Sequence, residues 1–335
     1  MKSRCPQVFN LHYYILNIRK RRFMSESSNK YRIDIAAFLS IIRPQNCVIG
    51  GLTVIAGIAI AYTTQWGSGG PGLPSILDLF VYSYLTYFFV AAGGNVVNDI
   101  FDVEVDKINR PHRALPSGRM TIRQAWAYVL LLSALGIVFS WIPGRPISAL
   151  IVIFFEVIGY LYAAKVKALG IAGNFMVAFS FAFGVLYGSV VYAEILSIPL
   201  VQSISTPAWL FFFTAFLILQ ARETIKGAED VEGDKLRDVH TIARVYGYKI
   251  AALVAGILNF LGVFSYVLIW IWGFAEINLW PLLILGAGVV SGAGIVPLTG
   301  PENKKRLKIA STLDKVGALV GLIAFVTIPF YLIYF

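Results

Sequence analysis

The stretch Asn95–Arg119, NVVNDIFDVEVDKINRPHRALPSGR, starts inside a long apolar segment and ends in a basic loop broken by Pro111 and Pro116. It therefore leads a set of carboxylates from apolar surroundings out toward water. On a helix turning about 100° per residue, Asp99, Asp102 and Asp106 fall within roughly 60° of one another, and Asn95 joins that face one turn earlier. Three carboxylates this close do not all stay ionised without a cation between them. Oxygen ligands with no His or Cys among them suit Mg²⁺, which takes one or two carboxylates and completes its shell with water and substrate phosphates. Asn98, Asp99, Asp102 and Asp106 are the first candidate metal ligands.

A second acidic stretch, Arg222–Asp234 (RETIKGAEDVEGD), answers the first, with Asp230 and Asp234 at i and i+4 on one helix face. The two stretches together with Asp238 hold ten of the 18 acidic residues, so the acids are concentrated and not spread over a solvated surface. Arg110, Arg113, Arg222 and Lys226 flank them and suit phosphate oxygens that a metal does not reach. The expectation is a diphosphate held between two Mg²⁺ ions, with Asp99, Asp102, Asp106, Asp230 and Asp234 as the catalytic acids and Asp230 and Asp234 as the second ligand set.

Working outward, composition places the chain in a bilayer. Of 335 residues, 58% are hydrophobic and 14% charged, and mean hydropathy is +0.73, which excludes an ordinary soluble domain. Apolar runs long enough to cross a membrane lie at about 36–64, 77–103, 121–142, 147–164, 171–193, 207–225, 247–273, 279–298 and 312–334. The predicted fold class is all-α, a multi-pass bundle of about nine transmembrane helices. All 28 Lys and Arg residues except Arg145 lie in the tail before the first span or in alternate loops on that same side. The positive-inside rule makes that side cytoplasmic, with the N-terminus inside, the C-terminus outside and both acidic motifs at the cytoplasmic face of a cell membrane. The net charge of +10 follows from this topology and carries no sign of nucleic-acid binding. Two cysteines, Cys5 and Cys47, and three scattered histidines form no disulfide or zinc pattern.

Two motifs in this order, Asn-Asp-x-x-Asp-x-x-x-Asp near the end of a second span and Asp-x-x-x-Asp near the end of a sixth, resemble the UbiA superfamily of intramembrane prenyltransferases. The longer strings DKINRPHRALPSG and RETIKGAEDVEGD look most like its archaeal branch, which makes digeranylgeranylglyceryl phosphate. The likeness runs from about Ile33 onward, which divides the chain into a tail at 1–32 and a transmembrane domain at 33–335. Met24 heads a Ser-rich segment that reads as a natural start, with an ordinary disordered terminus from Met1 as the alternative, and the tail shows no signal-peptide pattern.

The resemblance implies a substrate-binding set. Arg43 and Asn46 at the start of the first span would meet a head group, although Arg43 also reads as a snorkelling cation and Pro44 as a kink. Asn95 and Asn98 share the carboxylate face, Arg110 and Arg113 cap it, Tyr162 and Lys165 join from loop 4–5, and Arg222 and Lys226 from the second motif. The sequence departs from many relatives at Gly227, where an acid is usual. The implied reaction moves a geranylgeranyl group from its diphosphate to geranylgeranylglyceryl phosphate among membrane lipids, releasing pyrophosphate. Two alternatives stay open: an aromatic acceptor, as in quinone or chlorophyll-type pathways, and a divalent-cation transporter, since intramembrane carboxylates often mark ion paths.

Overall fold

The computed structural model describes residues 34–66, 73–142, 145–197, 199–231, 239–274 and 278–334. Among these residues, nine helices are long and apolar enough to cross a membrane, the number expected. We number them α1 (Pro44–Trp66), α2 (Leu73–Phe101), α3 (Ile122–Trp141), α4 (Pro146–Ala164), α5 (Ile171–Leu196), α6 (Thr206–Glu229), α7 (Tyr248–Gly273), α8 (Trp280–Ile295) and α9 (Lys304–Tyr334). In lipid, every backbone polar group needs an internal partner, which a run of helices supplies. Their starts are written in the sequence. Thr121 and Gln124 form a reciprocal capping box at α3, and Ser205 caps α6 ahead of Pro207.

Each helix packs on the next, and α9 returns to α1, so the bundle closes into a ring. Across the ring α1 packs on α5, and α6 on α9. The chain contacts α1–α2, α2–α3 and α3–α4 recur as α5–α6, α6–α7 and α7–α8, in keeping with two four-helix halves and a ninth helix. The halves meet where α1 crosses α5 backbone to backbone. A Cβ on Gly57 would lie 2.0 Å from the Val185 carbonyl oxygen, and one on Gly188 would lie 2.2 Å from that of Val54. Only glycine permits such an approach.

Of the boundaries that differ from expectation, three have a clear local reason. The first span is broken: a short helix, Ile35–Ile41, capped by Asp34, precedes Arg43, whose φ of 51° turns the chain before α1 begins. The second span ends at Phe101, because Asp102 leaves the helical well (φ −88°, ψ −2°) before a short helix at Val103–Asn109. Backbone bonds from the N–H of residues 102, 106 and 110 to the carbonyls of 98, 102 and 106, at 2.8–3.0 Å, nonetheless keep a helix-like rise through the bend. The ninth helix starts at Lys304, well before residue 312, because the Asn303 side chain accepts from the N–H of Lys305 at 3.0 Å and caps it.

At the end of the bundle opposite the motifs, Arg145 folds inward and is 1% exposed. It donates to the carbonyls of Phe139 and Ile142 at the end of α3 and to the Ser83 hydroxyl. Beside it, the Glu194 carboxylate of α5 accepts from the N–H of Ile147 at 2.7 Å and from the N–H and hydroxyl of Ser148 at 2.9 and 2.6 Å, closing the start of α4.

Candidate active site

Inside the ring lies one chamber of about 700 Å³, lined by residues of every membrane helix except α3. Its interior is apolar and partly built of small residues: Ile49, Val177, Phe181, Phe211, Ile218, Tyr266, Gly286, Ala287, Gly317, Ala318 and Gly321. Its mouth is polar and gathers both motifs. Asn95, Asn98, Asp102 and Arg110 come from the first, and Arg222, Glu223, Lys226, Glu229 and Asp230 from the second, with Arg43, Asn46, Tyr162, Lys167 and Asn174 between them. Asp234 lies outside the described residues.

The three acids of the first motif take different partners. Asp102 faces the chamber and pairs with Lys167. Asp99, 5% exposed, pairs with Arg43 and with Arg113 at 3.2 Å, and Asp106, 1% exposed, pairs with Arg113 at 2.6 Å. Asp99, Asp106 and Arg113 therefore stand behind the wall of the chamber as an ion-pair network and not on its surface. The bend at Asp102 separates its carboxylate from the other two. Asn95 donates to the Ile42 carbonyl at 2.8 Å, which anchors the turn that presents Arg43. An Arg in a left-handed conformation costs about 1–3 kcal/mol, and the pair with Asp99 together with the Asn95 anchor holds it there.

On the opposite wall, Arg222 donates to Glu223 at 2.9 Å, and Asn174 of α5 donates to the Glu223 carbonyl at 3.3 Å. Gly227 also lines the chamber, and a Cβ there would lie 3.1 Å from the Thr241 side chain. A side chain at this position would press on Thr241, and Glu223, one turn earlier, supplies a carboxylate on this wall. Lys165 is exposed and borders no part of the chamber, while Lys167, two residues on, enters it. The 3₁₀ turn at Val166–Leu169 accounts for this, since it turns the chain between the two lysines. Lys167, Asn174 and Asp314 were not among the expected site residues, and no motif contains them.

The oxygen-only donor set fits a hard divalent cation. Asn98 Oδ1 is buried at the mouth with no hydrogen-bond partner, one helical turn before the chamber-facing Asp102, and Glu223 and Asp230 line the mouth from the other motif. Among the described residues no three acidic, His or Cys side chains already converge as a metal cage, so substrate phosphate oxygens would have to complete the shell.

A model of the UbiA prenyltransferase family matches residues 85–308, which include both acidic motifs. The chain belongs to this family. A digeranylgeranylglyceryl phosphate synthase of Sulfolobus acidocaldarius is 36% identical to it over 257 residues, covering 76% of this chain and 85% of the relative. Among solved UbiA-type structures, one of a digeranylgeranylglyceryl phosphate synthase in membranes aligns over 88% of this chain and 98% of its own, with a TM-score of 0.65 and 29% identity. A UbiA homolog from Archaeoglobus fulgidus bound to GPP and Mg²⁺ shares the fold over 86% of this chain and 99% of its own, with a TM-score of 0.54 and 15% identity. As a UbiA family member with nine apolar helices, the chain is a multi-pass membrane protein.

Proposed function

We propose that this UbiA family member transfers a geranylgeranyl group from geranylgeranyl diphosphate to the free hydroxyl of geranylgeranylglyceryl phosphate, forming an ether bond of archaeal lipids and releasing pyrophosphate. One observation carries the reading: a single chamber joins a charged mouth built from both acidic motifs to an apolar interior. Diphosphate and prenyl tail are each matched by one end. The 36% identical synthase of Sulfolobus acidocaldarius supports the choice of donor and acceptor.

At the mouth, Arg43, Arg110, Lys167, Arg222 and Lys226 hold the diphosphate oxygens by charge-assisted hydrogen bonds. Two Mg²⁺ ions would be held by Asn98 and Asp102 on one wall and by Asp230, with Asp234, on the other, and the bound GPP and Mg²⁺ of the Archaeoglobus fulgidus homolog support a divalent metal. When bound, the metal supplies charge neutralisation of the departing diphosphate. Asp99 and Asp106 act through Arg43 and Arg113, fixing where the cations point. Asn46 and Tyr162 line the step from mouth to interior and bound the reacting end of the donor. The apolar interior keeps water from the allylic carbon as its bond to oxygen breaks.

The distribution of basic residues supports a mouth at the cytoplasmic face of the cell membrane by the positive-inside rule. A phosphate-bearing acceptor also suits a mouth this rich in Arg and Lys. The test is turnover by purified protein with Mg²⁺ and geranylgeranyl diphosphate, offered geranylgeranylglyceryl phosphate or an aromatic acid, with products read by mass spectrometry. The expected product is the dialkylated glycerol phosphate. Alkylation of the aromatic acid alone would overturn the lipid reading, and metal flux across vesicles without any pyrophosphate release would overturn the enzyme.

A further inference from the structure

Asp314 of α9 is 0% exposed, borders the chamber, and has neither carboxylate oxygen in a hydrogen bond. Asn259 of α7, also 0% exposed, stands beside it, yet both polar atoms of the Asn259 amide lack a partner at good geometry. The Arg222 guanidinium of α6 lies within electrostatic reach, and its buried Nε is unpaired as well. A bundle in lipid does not leave a buried carboxylate unpaired without cost, and Asp314 at the chamber wall, with Asn259 behind it and Arg222 also on the lining, points to a polar ligand group that completes it.

The depth of this cluster identifies the ligand group. Ser311, one turn before Asp314, donates to Glu229 at 2.6 Å, which sets the register of α9 against the mouth end of α6. Asp314 is three residues further along α9, about 4.5 Å deeper. Asp314 thus lies on the interior side of the Glu229 contact, toward the apolar part of the chamber and away from the diphosphate-binding cations of the mouth. Resting on the function proposed above, the site at this level must receive the attacking hydroxyl.

We propose that Asp314 accepts the proton of the acceptor hydroxyl, with Asn259 orienting the carboxylate and Arg222 balancing its charge. In the step, the acceptor oxygen forms a bond to carbon one of the prenyl group. The carbon–oxygen bond to diphosphate breaks with its electron pair leaving on pyrophosphate, and the hydroxyl proton goes to an Asp314 oxygen. Among the described carboxylates of the two motifs, Asp99 and Asp106 are held by arginines, Asp102 by Lys167, Glu223 by Arg222 and Glu229 by Ser311.

The test separates donor ionisation from transfer. With wild-type protein, Asp314→Asn should lower alkyl transfer to the alcohol acceptor at least 100-fold, while slow acceptor-free pyrophosphate release and the KM for donor stay within about twofold. A thiol analogue of the acceptor, far more acidic than the alcohol and so less dependent on a base, should be alkylated by Asp314→Asn within about threefold of wild type. If the asparagine variant does not accumulate as folded protein, Asp314→Ser repeats the comparison. Transfer to the alcohol within threefold of wild type would overturn the proposal. So would an equal fall in transfer and in acceptor-free release, which marks a structural role. Absence of transfer by the wild type to any hydroxyl acceptor would instead sink the underlying function, and this proposal with it.

Discussion

Arg43 shows how a single side chain is set by three features: the pair with Asp99, the Asn95 bond to Ile42 and its own left-handed backbone. Replacing it separates backbone strain from charge. Arg43→Gly relieves the strain while removing the cation from the mouth. We expect the melting temperature in detergent to hold within a few degrees and the KM for donor to rise at least tenfold, in line with the loss of a charged hydrogen bond of about 1.5–3 kcal/mol. Lys167→Met should likewise raise the KM for donor about tenfold or more by the same loss, whereas Lys165→Met stays near wild type because that side chain is exposed and away from the chamber. Both lysines have the same composition cue, a basic residue at a membrane interface. Only the 3₁₀ turn between them decides which one enters, and a four-residue turn leaves no periodic signal to read.

At the scale of helices, the spans were legible because hydrophobic runs of bilayer length have few other uses, and the bend at Asp102 was not, because its neighbours are ordinary helix formers. The Gly57–Gly188 crossing was equally hidden: glycines recur in several spans, and only the α1–α5 contact shows which pair lets backbones touch. Gly188→Val should therefore be far more damaging than Gly288→Val, since a Cβ at Gly288 meets nothing within 4 Å. We expect the first to lose at least about 3 kcal/mol, as overpacking of backbone against backbone has no low-cost relaxation, and the second to remain within about 0.5 kcal/mol. Thermal denaturation in detergent reads both. Glu194→Ala, which frees three donors at the start of α4, should lower stability by about 1–3 kcal/mol. Activity per folded molecule should be unchanged, since that latch lies at the opposite end of the bundle from the mouth.

For the molecule as a whole, the layout follows from placing two acidic motifs at one end of a closed ring. The interior ends on an aromatic floor, in which Tyr266 and Phe211 pack on Phe325 with ring centroids 6.0 and 4.6 Å apart. A Cβ on Gly321 would lie 3.6 Å from the Tyr266 ring, so a leucine there fills space just above that floor. Gly321→Leu should shift preference from geranylgeranyl toward geranyl diphosphate by tenfold or more in relative kcat/KM. Motif spacing made Asp102 and Asp230 readable as chamber residues. It left Asp99 and Asp106 indistinguishable from them, because one helical face includes all of the first set and only the bend and the two arginines separate them. The most direct measurement of the account is formation of alkylated lipid and pyrophosphate by wild type, Asp102→Ala and Asp230→Ala, each with Mg²⁺ and again after chelation. The account predicts acceptor-dependent product from the wild type with Mg²⁺ only, and a loss of at least 100-fold in each variant. Full activity in either variant, or turnover that survives chelation, would contradict a single diphosphate site shared by the two motifs.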